Sequence, residues 1–115
     1  MTRVVHLELH TANMARACGF YTRACGWEAG QVRVAERPYM ALEWGGDTSG
    51  GVVECGTERS LWLPYVEVAD VHRATGLAIE LGARVMLEPR DGPTGRRSVV
   101  SVPDGAEVAF WQSRR

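Results

Sequence analysis

His6, Glu8 and His10 alternate through the segment VVHLELH at residues 4–10. In an extended chain, alternate residues share a face and lie about 6.8 Å apart. Adjacent members of the set therefore reach one small ion or one proton-bearing atom. Burial in a hollow favours the protonated form of a carboxylate, which suits Glu8, Glu67 or Glu107 to general acid–base work on a substrate carbon or hydroxyl, with His6 beside it. The same donors, with help from Glu67 or Glu107, offer an unconventional grip on a divalent cation. A hydrogen-bonded polar wall with neither activity is the third reading of the same residues.

Flat rings add a second kind of recognition. Strand alternation places Tyr65 and Trp111 on the faces that carry Glu67 and Glu107, and the register of a third strand decides whether Tyr39 or Trp44 joins them. Rings on rigid strands sandwich planar ligands, each stack contributing about 0.5–1.5 kcal/mol beyond area burial. Arg97 follows the loop EPRDGPTG at 88–95, whose Gly and Pro content suits a lid. Its forked guanidinium suits a ligand carboxylate or phosphate. Trp27 and Phe110 read as core filling, as do Cys18 and Cys25, seven apart on one helical stripe.

The elements that must position these groups repeat. Val5, Leu7 and Leu9 alternate with the polar set as a half-buried strand; Asn13 then offers an N-cap, and Met14, Ala17, Cys18, Tyr21 and Cys25 recur at helical spacing until Gly26. Further on, Trp62, Pro64, Val66 and Val68 alternate with Leu63, Tyr65 and Glu67. Asp70 is the cap there, and Val71, Ala74, Ala78 and Leu81 form the helical stripe before Gly82. At an offset of 57 positions Asn13 falls on Asp70 and Leu9 on Val66, so the chain reads as a duplication. Strand-like runs follow each helix: WEAGQVRVAE, PYMALEW and GGVVECG, then GARVMLE, RRSVVSV and GAEVAFWQ. Each half is a βαβββ unit, too small to bury a core alone. The expectation is an α+β single domain over residues 1–115, with modules at about 1–57 and 58–115 and a curved mixed sheet around a concave pocket. His6, Glu8, His10, Leu63, Tyr65, Glu67, Glu107, Ala109 and Trp111 face the hollow in that arrangement.

Composition narrows the partners. A formal net charge of −1 leaves no basic surplus for a phosphate backbone, which argues against nucleic acid. All thirteen basic residues are Arg, so lysine Schiff-base chemistry and a phosphate-loop lysine are excluded. Three cysteines without C-x-x-C spacing point to a reduced, cytoplasmic protein, and no apolar run approaches the ~20 residues of a membrane span.

Three features in order carry a family resemblance: Phe20 and Tyr21 followed by Gly26 and Trp27, the run YVEVADV from Tyr65 to Val71, and the Pro103-Asp104-Gly105 turn before an apolar strand. Together they resemble the glyoxalase, bleomycin-resistance and dioxygenase group, the vicinal oxygen chelate superfamily, over nearly the whole chain. The resemblance implies two βαβββ modules, a homodimer, and a divalent metal held by four side chains that orients two substrate oxygens. His6 falls on the first ligand position. Leu63 and Ala109 stand where the second-half ligand and the closing glutamate are expected, with Glu54 or Cys55 near the remaining one. The similarity is closer to a metal-lacking branch marked by GW after the first helix. It implies no cofactor and a small-molecule ligand, aromatic or natural-product-like, contacted by His6, His10, Tyr39, Trp44, Leu63, Tyr65, Arg97, Ala109 and Trp111. The rival reading is a lyase, isomerase or epimerase using His6 with Glu8, Glu67 or Glu107, with or without an atypical divalent metal.

Overall fold

A computed structural model describes residues 2–34, 37–92 and 94–114. The element order is β1 (Val4–Thr11), α1 (Met14–Cys25), β2 (Glu28–Val34), β3 (Arg37–Glu43), β4 (Ser49–Glu54), β5 (Leu61–Glu67), α2 (Val71–Glu80), β6 (Arg84–Asp91), β7 (Gly95–Ser101) and β8 (Glu107–Ser113). This is the α+β class with βαβββ occurring twice, as the sequence pattern requires. The chain divides into two compact units, His6–Leu63, and Met1–Val5 with Pro64–Arg115.

In the His6–Leu63 unit β1 pairs with β4 in parallel, β4 with β3 and β3 with β2 antiparallel. The helix starts where Asn13, extended at φ −144°, accepts a hydrogen bond from the Arg16 amide, and ends where Gly26 takes a left-handed φ of 74°. Its buried stripe meets Leu9, Leu42 and Val52 through Cys18, with Met14, Ala17, Tyr21, Trp27, Met40, Trp44 and Trp62 packed around them. Four of the rings interlock. Tyr21 stacks on Trp27 at 5.3 Å, and Trp44 meets Trp27 edge to face at 4.7 Å.

The second unit repeats the plan: β5 pairs with β8 in parallel, β8 with β7 and β7 with β6 antiparallel. Asp70 caps α2 through the His72 and Arg73 amides. Gln112 Oε1 accepts from the Val71 amide at 2.8 Å, and Thr75 shares a 2.7 Å hydroxyl pair with the fully buried Ser98, so the polar atoms under this helix are satisfied. The chain up to Val5 serves this unit, where the Glu67 amide donates to the Arg3 carbonyl at 3.0 Å.

Two sequence expectations change. The lid expected over 88–95 is mostly strand: β6 runs through Asp91, and Arg90 and Asp91 pair with Arg97 and Arg96. A register shift between Leu87 and Arg90 accommodates Pro89, which cannot donate to a ladder; Pro93 lies outside the described residues. Cys25, the last residue of α1, is exposed, whereas Cys18 is buried and burial pushes its thiol pKa up.

Candidate functional site

Parallel register sets His6 opposite Ser49, Glu8 opposite Gly51 and His10 opposite Val53, all on the face of the first unit away from α1. Tyr39 reaches this group from β3, whose Ala41 pairs with Gly51. It does so by lying across Gly51: a Cβ built there would collide with the Tyr39 ring and hydroxyl. A glycine inside a strand is the device by which one side chain crosses another strand's backbone.

The result is a connected polar cluster. His6 Nδ1 is 2.6 Å from Ser49 Oγ, and His6 Nε2 is 2.9 Å from Tyr39 Oη. The Tyr39 hydroxyl donates to Glu8 Oε2 at 3.3 Å, and His10 Nε2 lies 2.9 Å from Glu8 Oε1. Glu8 is only 7% exposed. A buried carboxylate without donors costs several kcal/mol, and hydrogen bonds to a charged acceptor return about 1.5–3 kcal/mol each, so the phenol and imidazole help to make Glu8 tolerable there. Chemically, this arrangement can hold a polar group of a ligand or pass a proton between neighbours.

The second unit carries the other candidates on one face. Tyr65 pairs with Ala109, and Ala109 with Val99; in the next row Glu67 pairs with Trp111, and Trp111 with Arg97. Arg97 Nη1 donates to Tyr65 Oη at 2.8 Å, a pairing that spacing in sequence does not reveal. Glu107 lies opposite Ser101 on the same face. Tyr65 and Ala109 are buried, as is Leu63 at the end of the first unit.

Thus His6, Glu8, His10 and Tyr39 come together in one unit, and Tyr65, Glu67, Arg97, Glu107, Ala109 and Trp111 share a face in the other. Trp44 joins neither set. Its ring lies over Gly50 on the helix side, where Nε1 donates to the Thr48 carbonyl at 2.7 Å. A groove of about 440 Å³ on that side, lined by Leu9, Thr11, Arg16, Phe20, Tyr21 and Ser60 among others, is likewise apart from His6. Sequence reasoning missed Ser49 and Gly51; a glycine pair entering a strand run was the signal available for Gly51.

The residues do not fit the four-ligand metal centre that the family resemblance implies. Leu63 and Ala109, at two of its positions, offer only hydrocarbon and are 1% and 0% exposed, and both ring nitrogens of His6 take part in hydrogen bonds. Among the described residues no three His, Cys, Asp or Glu side chains are grouped to hold an ion.

Comparison with known proteins places the fold. The glyoxalase-like domain family matches residues 5–111. A putative glyoxylase, CFP32, of Mycobacterium tuberculosis is 27% identical over 117 aligned residues, covering 95% of this chain; the chain spans 45% of that relative's length. A hypothetical protein of Bacillus halodurans C-125 superposes with a TM-score of 0.72 at 13% identity, covering 99% of this chain and 96% of that one. Methylmalonyl-CoA epimerase of Streptomyces coelicolor, in complex with 2-nitronate-propionyl-CoA, gives 0.68 at 18%, covering 100% and 99%. Identities this low show a shared fold.

Proposed function

Because this chain belongs to the glyoxalase-like domain family, we propose that it binds a small, aromatic or natural-product-like molecule, sequestering or carrying it without the family's four-ligand metal. One observation carries this reading. Hydrocarbon replaces metal donors at Leu63 and Ala109, while the two units keep an ordered polar set around Glu8 and a face with Tyr65, Arg97 and Trp111. The proposal includes a homodimer in the cytoplasm. Tryptophan fluorescence tests it: titration with a panel of planar aromatic compounds bearing hydrogen-bonding heads should give saturable quenching for at least one. Trp111→Phe should remove that response, since Trp27, Trp44 and Trp62 sit in the helix-side cluster. Absence of saturable quenching across the panel rejects the reading.

A second reading has its own observation. Glu8 lies within hydrogen-bond reach of a phenol and an imidazole, a set suited to acid–base isomerisation, and methylmalonyl-CoA epimerases share the fold. Incorporation of solvent deuterium into methylmalonyl-CoA, lost in Glu8→Gln, would favour this enzyme over a binder.

A further inference from the structure

The sense of the hydrogen bonds around His6 follows from what its neighbours can donate. Tyr39 Oη lies 2.9 Å from His6 Nε2 and 3.3 Å from Glu8 Oε2, yet a phenol has a single proton to give. A hydrogen bond onto an ionised carboxylate is roughly twice as strong as one onto a neutral acceptor. Were the proton turned to His6, a phenolic lone pair would face the carboxylate oxygen. The proton therefore goes to Glu8, and Tyr39 presents only lone pairs to His6. His6 Nε2 must then carry hydrogen, and Nδ1 of the neutral ring must accept, which the Ser49 hydroxyl at 2.6 Å satisfies.

We propose that His6 is a positioning residue, held as the Nε2–H tautomer between Ser49 and Tyr39. It aims the Tyr39 proton at Glu8 and leaves Glu8 as the group that accepts a hydrogen bond or a proton from the bound molecule. The one side chain that stands at a family ligand position is thereby turned from holding a cation to orienting a phenol: its Nδ1 lone pair is directed at Ser49 and its Nε2 is protonated. Gly51 belongs to the same device, since only its bare backbone admits the Tyr39 ring. The role assigned to Glu8 rests on the proposed ligand face; the tautomer is a property of the unliganded protein.

Long-range proton–nitrogen correlation spectra of the free protein, recorded above neutral pH, read both ring nitrogens of each histidine. His6, identified by its loss in His6→Gln, should show a fully protonated Nε2 and a bare Nδ1. Exposed His72 should show the averaged values of a tautomer mixture. Tyr39→Phe keeps the ring over Gly51 but removes the phenolic oxygen, and should move His6 towards the averaged values. Added cobalt(II) should produce no ligand-field absorption and no broadening of His6. An Nδ1–H or averaged His6, a spectrum unmoved by Tyr39→Phe, or a stoichiometric cobalt band lost in His6→Gln would overturn the assignment. Since each arm uses unliganded protein, failure of the fluorescence panel and failure of this tautomer are separate results.

Discussion

Tyr39 makes its contacts with His6 and Glu8 only because Gly51 carries no side chain. Gly51→Ala should therefore swing the phenol away and strip a donor from a carboxylate that is 7% exposed. Overpacking of this kind costs about 1–3 kcal/mol. Urea denaturation should show that loss, and Tyr39→Ala in the same chain should recover part of it, because the clash disappears with the ring. A Gly51→Ala protein as stable as the parent would mean that Tyr39 has a second comfortable place. The polar set on β1 was legible at this scale, since period-two alternation is a local property. Its completion by Tyr39 and Ser49 was not, because they lie 33 and 43 residues from His6 and meet it through register. The pairing of Arg97 with Tyr65, 32 residues apart, was hidden for the same reason.

Helix ends were the most legible elements, because caps are written within four residues. Asn13 and Asp70 each accept from first-turn amides as their positions require. Asn13→Ala and Asp70→Ala should each cost about 0.5–2 kcal/mol, read as a lower denaturation midpoint with an unchanged slope. A midpoint unmoved in either variant would show that the neighbouring groups cap without it; Glu54 Oε1, which accepts from the Met14 amide at 2.9 Å, is placed to do part of that work. Strand ends were less legible. The Pro and Gly of 88–95 signal a loop in isolation, but β6 continues through them because pairing with β7 outweighs local preference once a register shift absorbs Pro89. Trp44 is a related case: parity alone left it level with Tyr39, and its ring's place over Gly50 and in the core cluster puts it on the helix side.

For the whole molecule, duplication was legible and its bookkeeping along the chain was not. Both units carry the same parallel and antiparallel pairings, β1 with β4 matching β5 with β8, as an ancestral repeat would leave them. Exposed Phe20, Leu77, Ile79, Leu81 and Met86 give the molecule apolar surface, and the proposed homodimer predicts a sedimentation mass of twice 12.6 kDa. A particle of a single chain's mass at working concentrations would remove the dimer from the proposal. The division of the chain also has a practical consequence. Cutting the gene between Leu63 and Pro64 looks like a clean way to obtain complementing fragments, but the leading residues would be left on the wrong piece, because Met1–Val5 go with Pro64–Arg115. A carboxy-terminal fragment made this way lacks the Arg3 carbonyl that receives the Glu67 amide. A split reporter built on this fold needs those opening residues returned to it.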